Sequence, residues 1–181
     1  MMRNEETMDE IRLMEPTEAY ADQIWEYRAR FQQSAEDDGG CGMLLDCETF
    51  EEWLSVTRAM TQPETCPDGR VPSDCYMAIR ISDNKLVGMI DLRHHIDHPI
   101  LGTWGGHIGY SVHPEERRRG YATRMLQLDF DKARQLGLQR VMVTCDDGNI
   151  ASEKTIVNNG GVYEKSVPVE GRMVKRFWIE L

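Results

Sequence analysis

His107-Ile-Gly-Tyr-Ser-Val-His-Pro-Glu-Glu-Arg-Arg-Arg-Gly-Tyr-Ala122 is the stretch whose reading decides the fold. An apolar strand runs into a turn holding Arg117, Gly120 and Ala122, and a helix opens directly behind it. The first N–H groups of a helix have no partner along the chain, and the helix dipole adds partial positive charge there. Gly120 and Ala122 keep side chains out of the way, so an anion such as a diphosphate can rest against bare backbone. Three consecutive arginines surround this cradle in a chain of formal net charge −10. A solvated basic turn is the bland alternative for such a run.

Outward from this stretch, the pattern gives a mixed sheet. Residues 75–81 and 85–93 are apolar runs separated by Ser82-Asp-Asn84, a hairpin signal. The segment 94–106 connects them to a strand over 107–113. Residues 120–137 follow as an amphipathic helix, with Ala122, Met125, Leu126, Phe130 and Ala133 near helical spacing. A buried strand at 140–145 leads to a second crossover helix at 149–159, stopped by Gly160-Gly161. Strands at 162–167 and 174–179 close the chain. Before the hairpin, residues 11–14 alternate like a short strand, and Pro16-Thr17 opens a helix to about residue 33. Asp37-Asp-Gly-Gly-Cys-Gly42 reads as an acidic loop, Thr49-Phe-Glu-Glu52 as the capping box of a helix to about residue 60, and 63–73 as loop. Antiparallel hairpins followed by strand–helix–strand–helix–strand predict an α/β class (α+β mixed sheet), part antiparallel and part parallel, with helices on both faces.

Composition narrows the function. At 181 residues, 40% hydrophobic and 29% charged, the chain predicts one soluble globular domain spanning 1–181. No apolar run reaches transmembrane length, so no membrane partner is expected. The opening MMRNEETMDE lacks the basic and apolar regions of a signal peptide, and a cytoplasmic location is the expectation. The acidic balance argues against a nucleic-acid partner. Cys41, Cys47, Cys66, Cys75 and Cys145 are odd in number and form no C-x-x-C pair, which predicts reduced thiols rather than a disulfide framework or zinc site.

Tyr110-Ser-Val-His-Pro114, then Arg117-Arg-Arg-Gly120-Tyr-Ala122, resembles the core motif of the GNAT superfamily of N-acetyltransferases. That motif is an apolar strand, Gln/Arg-x-x-Gly-x-Gly/Ala, and a helix. The strand at 140–145 one helix later, and Asn149 before a helix that ends in glycine, add to the likeness. It is specific over 75–163, which it marks as the acetyl-CoA-binding core, and looser over the first 60 residues, which in this superfamily shape the acceptor pocket.

The resemblance implies acetyl-CoA as cosubstrate. The backbone of Tyr110, Ser111 and Val112 would bind the pantetheine and thioester carbonyl as an added strand would. Beside Arg117, the amides of Arg118, Arg119, Gly120, Tyr121, Ala122 and Thr123 would hold the pyrophosphate. One N–H aimed at the thioester oxygen would stabilise the oxyanion, a donor worth roughly 3 kcal/mol when lost. Asn149 would contact the pantetheine or position the acceptor.

Transfer to an amine calls for a base and for an acid that protonates the leaving thiolate. Many members carry a Tyr seven residues after the Asn; here that position is Ile156. Ser152 shares the helix face of Asn149 and is a candidate donor, with a capping role as its alternative. Tyr163 is a weaker substitute. Asp91, on the strand beside the donor strand, and His107, at the start of the donor strand, are the candidate bases; His107 also reads as a hydrogen-bonded strand-start histidine. His94-His-Ile-Asp-His98 lacks the helix that would align two histidines, so no metal is expected. That loop is expected to border the acceptor site, with Trp104 as an aromatic wall. Cys145 as acyl carrier is disfavoured, no base being visible for it. Asp37, Asp38, Glu51 and Glu52 would favour a cationic acceptor or form a solvated face.

The expected activity is N-acetyl transfer to a primary amine of a small molecule or peptide, by direct attack in a ternary complex. A homodimer is left open. A non-catalytic acyl-CoA-binding module is the alternative, and a nucleotide-binding protein is disfavoured by the missing Gly-Lys-Ser/Thr ending of a P-loop.

Overall fold

A computed structural model describes residues 9–34 and 39–181. The elements are β1 (Ile11–Met14), α1 (Ala21–Ser34), α2 (Phe50–Ala59), β2 (Ser73–Arg80), β3 (Leu86–Arg93), β4 (Ile108–Val112), α3 (Tyr121–Gln135), β5 (Arg140–Asp146), α4 (Ile150–Asn158), β6 (Val162–Val169) and β7 (Arg172–Glu180). The strands form one sheet in the order β1-β2-β3-β4-β5-β7-β6. Every neighbouring pair is antiparallel except β4–β5. This is the mixed α/β sheet the pattern predicts.

Side-chain alternation on β2 and β3 splits the core in two. Tyr76, Ala78, Ile90 and Leu92 pack under Met125, Leu126 and Phe130 of α3. Met77, Ile79 and Met89 pack under Tyr27 and Phe31 of α1 and Trp53 of α2. Both faces are covered, so these strands read as continuous apolar runs rather than as alternating ones.

Local chemistry sets the helix ends. Thr49 Oγ1 accepts from Glu52 N at 3.2 Å, as a capping box requires. In return Glu52 Oε2 accepts from Glu48 N at 2.9 Å, one residue earlier than the motif predicts. The helix expected from Pro16-Thr17 begins as a 3-10 turn at Glu18–Tyr20, and Thr17 makes no side-chain cap bond. The connection 94–106 holds a feature its sequence does not announce, a π-helical turn at Leu101–Gly105. Its carbonyls are held from outside: Arg176 Nη1 donates to Gly102 O (3.1 Å) and Thr103 O (3.0 Å), and Thr144 Oγ1 to Trp104 O (2.7 Å).

Asp129 is the one charged residue of α3 turned into the core. It is fully buried, and neither carboxylate oxygen has a hydrogen-bond partner among the described residues. Burial, reinforced by the Asp91 and Asp74 carboxylates, pushes its pKa up to about 8. The unfolded chain releases this proton near pH 4 and the folded chain holds it to about 8, so folding loses stability as pH rises between those values and loses no more above them. Asp129→Asn is expected to flatten that slope. A gain of about 1–3 kcal/mol over the parent at pH 8, from denaturant melts, should vanish at pH 4. Equal stability at both pH values would refute the buried-acid assignment.

Candidate active site

The turn after β4 is built on a buried carboxylate. Pro114–Glu116 forms a 3-10 turn, with His113 Nδ1 accepting from Glu115 N at 3.3 Å. Glu116, only 4% exposed, receives Arg80 (2.8 Å), Lys85 (2.7 Å) and Arg119 (3.1 Å). Arg80 also donates to the Tyr121 hydroxyl at 3.2 Å, tying the start of α3 to the same cluster. These cations hold the Glu116 carboxyl below its usual range against the opposing effect of burial. The backbone then reverses through two positive-φ residues, Arg118 (63°) and Gly120 (81°). Gly120 is the N-cap of α3 without a capping side chain, and the first bond back to it comes from Arg124 N at 3.1 Å. The amides of Tyr121, Ala122 and Thr123 therefore precede the helical ladder and suit an anion.

Of the three arginines, two are engaged inward. Arg117 Nε donates to Val112 O at 3.3 Å and its guanidinium lies 6.0 Å from the Phe31 ring centroid. Arg119 pairs with Glu116 while its side chain stays 54% exposed. Arg119→Ala is accordingly expected to weaken CoA binding only severalfold in calorimetry, with the effect fading as salt rises. A loss that ignores ionic strength would show that Arg119 acts through Glu116 and the turn instead.

β4 and β5 part just before this turn. They share one register pair, Ile108↔Val143. His107, ahead of it, clamps the join: its N–H donates to Met142 O (2.8 Å), and its Nδ1 accepts from Met142 N (2.9 Å). Burial, aided by nearby Arg93 and His95, pulls the imidazole down to about 4. The lone pair that a base needs is already spent on a backbone amide, so His107 is a structural clamp. This corrects its candidacy as base.

Beyond Ile108 the strands open, and Tyr110 reaches across to α4. Its hydroxyl lies 2.7 Å from Ser152 Oγ. The α4 cap is Asn149, whose Oδ1 accepts from Ser152 N at 3.1 Å, which leaves the Ser152 hydroxyl free of capping duty. Ile156 is fully buried in the core. Tyr163 stands on the outer strand β6, 53% exposed, with its hydroxyl 3.0 Å from Ser166, away from the opening. Burial, with Glu153 adding, pushes the Cys145 thiol up to about 11, so it stays protonated.

On the opposite face of the sheet, a cavity of about 520 Å³ lies between α2, β2, β3 and the loops 39–43 and 98–101. Asp91 lines it beside Cys75, Arg93, Met43, Met60 and Leu101. The carboxylate is 3.3 Å from Arg93 Nε, and burial, outweighing that cation, raises its pKa. Asp91 is also the register partner of Gly109 on β4, so the cavity adjoins that strand. Gly39 and Gly40 roof this junction: a Cβ on Gly40 would lie 2.5 Å from Gly109 O. Ser111 fastens the roof, accepting from the Tyr27 hydroxyl (3.0 Å) and meeting Cys41 Sγ (3.5 Å).

Other expectations fall elsewhere. Trp104 does not line the cavity; its ring lies 5.6 Å from the Arg172 guanidinium, and His98, Ile100 and Leu101 form that wall instead. His94 pairs with Asp74 at 2.9 Å, and His98 Nδ1 accepts from Ile100 N at 3.2 Å, so these histidines serve the loop itself. Glu51 and Glu52 belong to the first turn of α2 and do not line the cavity. Asp37 and Asp38 lie outside the described residues. Sequence reasoning missed the Glu116 anchor, the Tyr110–Ser152 contact and the diglycine roof. Only the Gly39-Gly40 pair carried a signal, as a place where backbones approach closely.

Solved structures share this architecture across nearly the whole chain. The ribosomal-protein-S5-alanine acetyltransferase from Vibrio fischeri is 17% identical, with 97% of this chain and 94% of that one covered at a TM-score of 0.69. RimL, a ribosomal L7/L12 α-N-protein acetyltransferase solved with coenzyme A, is 15% identical, with 94% of each chain covered at 0.69. The microcin C7 self-immunity acetyltransferase MccE, solved with acetyl-CoA and AMP, is 16% identical, with 96% and 93% covered at 0.69. At these identities the likeness shows the fold. A comparison with curated proteins gives no match. A model of the acetyltransferase (GNAT) family matches residues 7–156, most of the chain, and the chain belongs to that family of acyltransferases.

Proposed function

We propose that this acyltransferase moves an acetyl group from acetyl-CoA to a primary amine of a small molecule or peptide, by direct attack in a ternary complex. The observation that carries the reading is the opening of β4 from β5 directly ahead of the unladdered amides of α3. The cosubstrate supplies an acyl carbon already activated as a thioester. The β4 backbone at Tyr110, Ser111 and Val112 would bind its pantetheine arm edge-on. The amides from Arg118 to Thr123 would hold the pyrophosphate, beside Arg117 and with Asn149 across the opening.

The acceptor amine enters from the other face, through the cavity lined by Asp91. Asp91 takes the proton of the attacking amine, burial having raised its affinity for one. An N–H of β4 stabilises the oxyanion.

Mass spectrometry of a broad panel of amines and peptides incubated with acetyl-CoA tests this. Acetyl-dependent mass gain on an amine, with one CoA released per acetyl, is the expected result. Tight acetyl-CoA binding with no turnover on any amine would favour the acyl-CoA-binding module, the reading that Ile156 motivates.

A further inference from the structure

Collapse of an acyl intermediate leaves a thiolate, and that sulfur needs a proton. Among the described residues, few groups around the β4–β5 opening can give one. Cys145 is packed into the hydrophobic core beneath the sheet rather than presented to the opening. Lys175 is committed to Asp147 and Glu153, both at 2.9 Å. What remains is a cluster of hydroxyls, Tyr110 with Ser152 at 2.7 Å and with Thr155 beside it. Their chemistry is not equal. A phenol can end as an anion, with an ordinary pKa near 10, whereas an aliphatic hydroxyl has no comparable acidity.

The surroundings keep the phenol protonated and act on it in both directions. Burial raises the Tyr110 pKa to about 12, while hydrogen bonds from Ser152 and Thr155 pull the other way by stabilising the phenolate. The ring starts on β4 two residues beyond the Ile108↔Val143 join and ends at the first turn of α4, so it spans the opening.

We propose that Tyr110 is the proton donor to the leaving thiolate, and that Ser152 is a positioning residue that donates its own hydroxyl to the phenol oxygen. The inference rests on the acetyltransferase reading above. In the step, the C–N bond has formed and the C–S bond breaks with its electron pair passing to sulfur. Sulfur takes the Tyr110 proton, and the phenolate is reprotonated from water, which balances the proton lost by the amine.

The test compares Tyr110→Phe, Ser152→Ala and an enzyme carrying the more acidic 3,5-difluorotyrosine at position 110. Tyr110→Phe is expected to lower kcat by roughly 100-fold with acetyl-CoA affinity unchanged in calorimetry. Ser152→Ala should lose less, about tenfold. The difluorotyrosine enzyme keeps ring and hydroxyl, and the basic limb of its kcat–pH profile should move to lower pH than that of the parent. This readout holds even if the phenylalanine variant folds poorly. Three results would overturn the proposal: a fully active Tyr110→Phe enzyme, a basic limb that difluorotyrosine does not move, or a Ser152→Ala loss exceeding that of Tyr110→Phe. A parent enzyme that binds acetyl-CoA yet acetylates no amine overturns the acetyltransferase reading itself, and this inference with it.

Discussion

Gly120→Glu removes measurable CoA binding, a loss expected to exceed about 100-fold in titration calorimetry, or roughly 2.7 kcal/mol. Two effects combine. Gly120 sits at φ 81°, ψ 0°, the left-handed region that costs a side-chain-bearing residue about 1–2 kcal/mol. The new carboxylate would also occupy the mouth of α3, where the amides of residues 121–123 point out, and would repel a diphosphate from the place it must take. Gly120→Ala separates these effects. It carries the backbone strain without the charge, so its loss should be nearer tenfold and insensitive to salt. Both variants keep the Glu116 cluster, and the shared backbone strain should lower their melting temperatures by a similar few degrees. Unchanged CoA affinity in Gly120→Glu would refute the pyrophosphate assignment.

The second large effect is on chemistry rather than on cosubstrate binding. Asp91→Asn is expected to lower kcat by about 10²–10³-fold while leaving acetyl-CoA affinity intact, since a positioned base contributes on that scale. The pH profile supplies the sharper check. Because burial raises the Asp91 pKa, the acid limb of kcat/KM should lie above the ordinary carboxylate range, with activity lost as pH falls through that raised value. In the asparagine variant that limb should disappear. If Asp91 serves only as the partner of Arg93, 3.3 Å away, the variant should instead melt lower and keep the limb in place. The exposed Arg119, by contrast, is predicted to matter only severalfold. The difference follows from burial: water screens the one and is excluded from the other.

What could be read in the chain is what neighbouring residues settle among themselves. The β4–turn–α3 unit was legible because strand, positive-φ glycine and helix start lie within sixteen consecutive residues, so one stretch of backbone determines where its amides point. The Thr49 cap was legible for the same reason. Roles that depend on residues far apart in sequence were not. His107 reads equally well as a base or as a clamp until Met142, 35 positions away, is seen to occupy its Nδ1. Trp104 is an apt pocket wall until Arg172 claims its ring. The Tyr110–Ser152 contact spans 42 positions and exists only because β4 and β5 part after a single pair. By itself, the sequence determined the strand–turn–helix unit that leaves the first amides of α3 unladdered, whose geometry is a property of local backbone. Only the tertiary structure decided which side chains are buried and which are already engaged, because hydrogen-bond partners are delivered by the fold from distant parts of the chain.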